Sequence, residues 1–129
     1  MSENILVVDD EPALQETLAY NLKKEGYIVE PAGDGRAALE AARRIKPDLI
    51  VLDIMLPEMD GFEVCSRIRQ VSNVPVIMLT ALNSEDEIIR GLESGADEFV
   101  SKPFSPDILV ARARALLRRP ELLLLDEPT

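Results

Sequence analysis

The chain contains no histidine, no tryptophan and only one cysteine, Cys65, among its 129 residues. The absence of histidine excludes a Ser-His or Cys-His nucleophile, histidine metal ligands and a phosphohistidine on this chain. A single cysteine excludes an internal disulfide and is typical of a reducing compartment. Cys65 falls in an apolar helical pattern without a CxxC partner, so we interpret it as a core residue.

Basic residues are in the minority, because 14 Lys and Arg stand against 24 Asp and Glu, for a net charge of −10. Such a charge disfavours direct binding of nucleic acid or of an anionic membrane by this chain. No apolar run approaches the length of a membrane span, and the acidic N-terminal residues do not fit a signal peptide. We therefore expect a cytoplasmic protein that makes no contact with the membrane.

Short aliphatic runs alternate with longer stretches of helical periodicity. Five of these runs predict strands: Ile5–Val8, Tyr27–Glu30, Leu49–Leu52, Val76–Leu79 and Phe99–Val100. Their continuous apolar character predicts a parallel sheet that is buried on both faces. Right-handed crossovers then give a doubly wound α/β fold with helices on both sides of the sheet. The chain length fits one domain, over residues 1–119, followed by a C-terminal extension over residues 120–129.

The predicted helices carry their own boundary signals. Gly26 stops the first helix, and Asp34 precedes the second. Ser84 and Glu87 have capping-box spacing at the fourth helix, and Ser105 caps the fifth. The apolar residues carried by the five helices are Leu14, Leu18 and Leu22; Ala38, Ala42 and Ile45; Phe62, Cys65 and Ile68; Ile88, Ile89 and Leu92; and Leu109, Ala113, Leu116 and Leu117.

Polar residues follow four of the predicted strands. They are Asp9 and Asp10, Asp53, Thr80 and Lys102. Because the carboxyl ends of parallel strands meet at one edge of a sheet, these side chains should converge. Three carboxylates held together repel one another unless a cation lies among them, and hard oxygen ligands suit Mg²⁺. A lysine and a threonine beside such a site can contact phosphate oxygens; the alternative is an ordinary Lys–Asp salt bridge at the surface.

Four motifs on these strands and their loops resemble the receiver domains of bacterial response regulators. The motifs are "VVDDE", "DLIVLDIMLPEMDG", "VIMLTA" and "GADEFVSKPF", and the resemblance extends from residue 4 to about residue 119. It implies a flavodoxin-like fold with five parallel strands in the order 2-1-3-4-5. It also implies a phosphoacceptor switch rather than an enzyme, with a sensor histidine kinase as partner.

The resemblance further implies a role for each residue of the acidic site. Asp53 would accept the phosphoryl group as an acyl phosphate. Asp10, Asp53 and the backbone carbonyl of Met55 would bind Mg²⁺ directly, and Asp9 would act through water.

The remaining site residues follow from the same resemblance. Lys102 would contact the phosphate, and the peptide bond between Lys102 and Pro103 would be cis. Thr80 and Phe99 would form the switch pair, in which the hydroxyl moves toward the phosphate and the ring turns inward behind it. Core packing on the last strand is a second interpretation of Phe99, compatible with the first.

The fourth helix, fifth strand and fifth helix resemble those of the winged-helix subfamily, whose members dimerise through this face. Glu98 and Arg112 match one of the ion pairs of that subfamily. Ile88 and Ile108 stand where its members often carry a basic and an acidic residue. We expect a homodimer through this face upon phosphorylation, with a mixed polar and apolar surface.

The C-terminal sequence "LLLLDEPT" resembles the Walker B segment of ABC-type ATPases. Because no GxxxxGK[ST] loop accompanies it, we expect no nucleotide binding. We expect Leu122–Leu125 to form a sixth strand beside the fifth, or the same strand exchanged with a neighbour, which would bring Asp126 and Glu127 to the carboxyl edge. The alternatives are a frayed tail, a natural linker and an engineered join of two fragments.

Two other functions stay open at this point. The first is a Mg²⁺-dependent phosphohydrolase, which would need a side chain that positions water near Asp53. The nearby residues Met55, Ala81 and Leu82 are apolar, which favours a switch. The second is a constructed scaffold or chimera that retains the receiver site, because no effector domain follows in the sequence.

Overall fold

The computed structural model describes residues 2–81 and 85–118 of the chain. In this part, five strands alternate with five helices. The strands are β1 (Asn4–Val8), β2 (Ile28–Ala32), β3 (Leu49–Asp53), β4 (Val76–Thr80) and β5 (Glu98–Ser101). The helices are α1 (Pro12–Lys24), α2 (Gly35–Ile45), α3 (Gly61–Arg69), α4 (Glu85–Ser94) and α5 (Pro106–Leu117).

The strands form one parallel sheet in the order β2-β1-β3-β4-β5. The predicted doubly wound α/β fold and its strand order are therefore confirmed. The strand order reverses at β1 and β3, whose carboxyl ends lie side by side. In open α/β sheets, ligands bind at this switch point.

Each face of the sheet is covered by its own apolar cluster. Helices α1 and α5 pack on one face, where Leu18, Leu22, Leu109 and Ala113 are buried. Helices α2 and α3 pack on the other face. The apolar cluster there includes Met78 of β4 and the partly buried Phe99 of β5. Strands β3 and β4 are buried along their whole length, as continuous aliphatic runs predict.

Each of β1, β3 and β4 is one residue longer than predicted, through Asn4, Asp53 and Thr80, and two strands differ at both ends. Strand β2 begins one residue later than expected and continues to Ala32, pairing with β1 as an edge strand through Pro31. Proline is tolerated there because an edge strand does not need every N–H donor. Strand β5 is longer at both ends, because Glu98 and Ser101 continue the pairing with β4.

The helix boundary signals are confirmed where the structure describes them. Gly26 follows α1 with a φ of 97°, and the Asp34 carboxylate accepts a hydrogen bond from the Ala37 amide at 2.8 Å. Ser105 caps α5 through the Asp107 amide at 3.1 Å. Ser84, the expected cap of α4, lies outside the described residues.

The predicted apolar faces are confirmed for α1, α3 and α5, with Leu14 and Leu117 partly buried. Helix α2 differs, because Ala41 is buried beside Ala38 while Ile45 is only half-buried. Helix α4 differs more: its buried residues are Gly91 and Ser94, and the isoleucines and leucine that it carries are exposed.

Several predictions concern parts of the chain outside the described residues. These are the sixth strand at Leu122–Leu125, the position of Asp126 and Glu127, and the role of Leu82. In the part of the chain that the structure describes, every helix is too short or too polar to cross a membrane.

Candidate phosphoacceptor and metal site

The strands bring the predicted site residues to one edge of the sheet. Asp9 and Asp10 directly follow β1, Asp53 ends β3, and Thr80 ends β4. Lys102 directly follows β5, and its amide donates to the Thr80 carbonyl at 2.6 Å. The parallel sheet explains this convergence, because each of these residues lies at the carboxyl end of its strand or within two residues after it.

Three carboxylates lie close together in this edge. One oxygen from each of Asp9, Asp10 and Asp53 lies within 4.8 Å of the other two. Asp9 is fully buried and Asp53 nearly so, whereas Asp10 is exposed. The cluster therefore opens to solvent on the side of Asp10.

Lys102 supplies the cation that faces this cluster. Its Nζ atom lies 3.2 Å from Asp53 Oδ2 and 3.8 Å from Asp9 Oδ2. Both carboxylates are buried, so this arrangement differs from an exposed Lys–Asp pair at a protein surface. The peptide bond between Lys102 and Pro103 is cis, as the resemblance implies.

Backbone amides orient the two buried carboxylates. The Met55 amide donates to Asp53 Oδ1 at 3.1 Å, and the Glu11 amide donates to Asp9 Oδ1 at 2.9 Å. In each loop, the amide two residues after the aspartate therefore holds that aspartate's own carboxylate. The Met55 side chain itself is 65% exposed, although Asp53 beneath its amide is only 2% exposed.

Burial raises the pKa of both inner carboxyl groups above the ordinary value. For Asp9, the amide of Glu11 and the charge of Lys102 oppose this increase, while the charge of Asp53 adds to it. For Asp53, the Met55 amide and Lys102 oppose the increase in pKa, and Asp10 adds to it. One lysine therefore leaves the ionised cluster undercompensated.

A divalent cation fits this donor set. Asp9 Oδ2 is buried and has no hydrogen-bond partner among the described residues. Carboxylate oxygens are the ligands that Mg²⁺ prefers, and one open, solvated side suits an ion that keeps several waters. Asp10 and Asp53 can hold such an ion directly.

The remaining predicted residues lie on the β4–β5 side of the site. Thr80 is buried and Phe99 is half-buried. They lie on the same face of the sheet, because Phe99 pairs with Met78, and Met78 and Thr80 are two residues apart on β4. Farther along this side, Arg112 pairs with Glu98 at 2.6 Å within the chain.

Two positioning residues escaped the sequence analysis. The Gln15 amide group donates to the Asp9 carbonyl at 2.5 Å and to the Ala32 carbonyl at 3.2 Å. Gly61 starts α3 directly against β3, where an added Cβ would lie 2.5 Å from the Asp53 carbonyl oxygen. A glycine directly after the Asp60 cap is a signal that could have indicated this close approach.

A family model for the response regulator receiver domain matches residues 5–114. The chain belongs to this family. The DNA-binding response regulator MtrA of Mycolicibacterium smegmatis is 52% identical over 128 residues, which make up 99% of this chain and 54% of the relative. The alkaline phosphatase synthesis transcriptional regulatory protein PhoP of Bacillus subtilis is 51% identical over 123 residues, 95% of this chain and 51% of the relative.

Solved structures agree with the family. The chemotaxis protein CheY4 of Vibrio cholerae superposes with a TM-score of 0.86 at 33% identity, covering 90% of this chain and 99% of that one. The chain spans about half the length of the curated relatives that it matches. Receiver domains are phosphoacceptor switches that bind Mg²⁺ in an acidic pocket, and response regulators receive phosphoryl groups from sensor histidine kinases.

Proposed function

We propose that Asp53 is the residue of this receiver domain that accepts the phosphoryl group, from a sensor histidine kinase. The observation that carries the proposal is a nearly buried carboxylate at the switch point, with Lys102 Nζ at 3.2 Å and two further carboxylates beside it. In the transfer, a carboxylate oxygen of Asp53 bonds to phosphorus while the bond from phosphorus to the donor breaks. The donor leaves with the electron pair of that bond.

The neighbouring residues divide the work of holding charge. Asp10, Asp53 and the Met55 carbonyl would hold Mg²⁺, with Asp9 acting through water, and the ion would supply charge neutralisation for the phosphoryl oxygens. Lys102 is placed to bind a phosphate oxygen once a carboxylate oxygen of Asp53 is bonded to phosphorus. The Met55 amide keeps the carboxylate oriented toward the open side.

Intact mass after incubation with acetyl phosphate and Mg²⁺ tests this proposal. We expect one phosphoryl adduct on the wild-type chain and none on Asp53→Asn. Asp48→Asn provides a matched control, because the Asp48 carboxylate accepts from the Asn4 amide at the start of β1, the end of the strand away from Asp53. An adduct of equal yield in Asp53→Asn, or in wild type without a divalent metal, would remove the proposal.

The residues near Asp53 bear on how long the acyl phosphate would last. Met55 and Ala81 flank Asp53 and offer no side chain that could position a water for hydrolysis. We therefore infer a switch rather than a phosphohydrolase, with an acyl phosphate that persists for minutes or longer without a phosphatase. Loss within seconds, followed by mass after removal of the donor, would contradict this inference.

Thr80 and Phe99 are the proposed switch pair. Thr80 ends β4, the strand that pairs with β3 beside Asp53. Phe99 lies on β5 opposite Met78, two residues before Thr80 and so farther from the carboxyl edge. A movement of the Thr80 hydroxyl toward a phosphate would change the space that the ring can occupy. This pair would connect the phosphorylated edge to β5 and α4.

The face made by α4, β5 and α5 is the proposed dimer surface. Ile88 and Leu92 on α4 and Ile108 on α5 are exposed, next to the pair of Glu98 with Arg112. Apolar residues with a polar rim are typical of protein interfaces. Phosphorylation would promote a homodimer here by changing the position of α4.

Light scattering with and without beryllofluoride, an acyl-phosphate mimic, tests the dimer. We expect association in wild type and its loss in Ile108→Ser. Ile28→Ser is the matched control, since Ile28 is similarly exposed on the opposite edge strand. A wild-type monomer under both conditions, or an equal loss in both variants, would contradict this surface.

The output of the domain and the role of residues 120–129 are two further proposals. One of these relatives is named a DNA-binding response regulator and the other a transcriptional regulatory protein. We infer that this domain, over residues 1–119, controls transcription without binding DNA itself. For residues 120–129 we keep the sixth strand as a proposal, with no nucleotide binding and with a linker or an engineered join as alternatives. An unchanged melting temperature and oligomeric state after truncation at Arg119 would overturn the sixth strand.

A further inference from the structure

Gly91 occupies an unusual place in α4. It lies in the second half of a ten-residue helix, and Gly91 and Ser94 are the two buried residues of that helix. A glycine inside a helix costs about 1 kcal/mol relative to alanine. A glycine at such a position therefore needs a packing reason.

The packing reason is the ring of Phe99. A methyl group placed on Gly91 would lie 2.5 Å from Phe99 Cε2 and closer still to Cζ, and 3.4 Å from Met78 Sδ. Phe99 and Met78 are direct partners in the β4–β5 pairing. The ring thus lies between the sheet and the bare backbone of α4, in space that any side chain at residue 91 would need.

The side chains of α4 differ in how they meet the body of the domain. Ile89 and Leu92 point to solvent, while Ser94 donates its hydroxyl to the Gly91 carbonyl within the same helix. The Arg90 guanidinium stacks over the Phe62 ring of α3, 4.3 Å from its centre. The contact of Gly91 with Phe99 is therefore where the helix backbone meets the sheet side of the core.

We propose that Gly91 is a positioning residue for the switch, because its missing side chain keeps open the inward site of the Phe99 ring. With any larger residue at 91, the ring must leave this site or α4 must move away from the sheet. Residue 91 thus sets how Phe99 divides between inward and outward positions, and couples the ring to the exposed face of α4. This inference rests on the proposed switch role of Phe99.

Fluorine NMR measures the ring position directly. The chain has three phenylalanines, so labelling with fluorophenylalanine gives three resonances, and Phe99→Leu assigns the one of interest. The shift between H₂O and D₂O reports the exposure of each ring to water. In Gly91→Ala we expect this isotope shift at Phe99 to rise toward that of the free amino acid, while the other two resonances keep their values.

A matched control is available at Gly33, where an added Cβ would have its nearest neighbour, Gln15 Nε2, at 3.9 Å. Gly33→Ala should leave the Phe99 resonance unchanged. An unchanged Phe99 isotope shift in Gly91→Ala would overturn the proposal, and so would an equal change in both variants.

The coupling to α4 gives a second readout. With beryllofluoride, Gly91→Ala should weaken self-association at least tenfold, which corresponds to about 1.4 kcal/mol, whereas Gly33→Ala should leave self-association unchanged. Acetyl phosphate should still give the adduct on Gly91→Ala. Failure of wild type to form an adduct would count against the proposed function, whereas association of Gly91→Ala at wild-type strength would count against the role of Gly91 alone.

The proposal remains testable if Gly91→Ala fails to fold. The overlap involves one ring, so replacing that ring should remove most of the penalty of the added methyl group. Gly91→Ala/Phe99→Leu should then fold with the melting temperature of Phe99→Leu. A double variant as unfolded as Gly91→Ala would overturn the proposal.

Discussion

Neutralising Asp9 should stabilise the metal-free protein. The Asp9 carboxylate is fully buried and lies within 4.8 Å of two other carboxylates. At that separation and an effective dielectric constant near 20, each repulsion amounts to about 3 kcal/mol. Lys102, 3.8 Å from Asp9 Oδ2, offsets about one of the two. Because the amide of Asp9→Asn keeps an acceptor for Glu11, we expect a net gain of about 1–2 kcal/mol.

Thermal unfolding in EDTA and in Mg²⁺ measures this gain. For a domain of this size, about 1–2 kcal/mol corresponds to a rise of about 4–8 °C in melting temperature. In Mg²⁺ the difference in melting temperature between Asp9→Asn and wild type should shrink or change sign. An ion at a hundredfold excess over its Kd stabilises wild type by about 2.7 kcal/mol, and it should bind the variant less well. Asp107→Asn, which neutralises an exposed carboxylate on α5, is the control and should change little.

The same reasoning gives a sign for the pH dependence. Burial raises the pKa of Asp9 in the folded protein above the ordinary 3.8, so the folded state binds protons more readily than the unfolded chain. The contribution of this group to stability is therefore full at low pH and is lost as pH rises through the folded pKa. In EDTA, wild type should gain more stability than Asp9→Asn on acidification from neutral pH. A variant that melts below wild type in EDTA would refute the reasoning.

Two further predictions concern the basic residues. Arg69→Met should lower the free energy of unfolding by about 2 kcal/mol in urea titrations, because the partly buried Arg69 pairs with Asp97 and also donates to the Gly95 and Val74 carbonyls. The exposed Arg67→Met should cost under 1 kcal/mol, and equal losses would contradict this. Lys102→Met should lower the melting temperature in EDTA, since the carboxylates lose their only described cation within 4.0 Å. For the same reason Mg²⁺ should raise the melting temperature of this variant more than that of wild type. A smaller increase than in wild type would contradict the prediction.

The fold could be predicted from the sequence because its strands are buried on both faces. Continuous aliphatic runs such as Leu49–Leu52 leave no other placement in a domain of this length. The carboxyl-edge cluster followed from the same pattern, since polar residues lie at the end of four strands or directly after them. Strand β2 was placed less well because Pro31 interrupts an edge strand, where burial gives a weaker signal.

The contacts that orient the site were beyond the sequence. Gly61 and Gly91 act through the absence of a side chain, so no apolar periodicity records them, and only the approach of Asp53 and Phe99 shows their importance. Helix α4 illustrates the same limit. Its apolar residues have helical spacing, yet they face solvent, because the backbone at Gly91 takes the place of a side chain against the sheet.

The most direct test of the account is to locate the phosphoryl group. Hydride reduction of an acyl phosphate converts the modified aspartate into homoserine, which peptide mapping by mass spectrometry can assign to one residue. After incubation of the wild-type chain with acetyl phosphate and Mg²⁺, we expect homoserine at residue 53 alone, and none when EDTA replaces the metal. Homoserine at Asp9 or Asp10, or an adduct that resists reduction, would contradict the central role of Asp53.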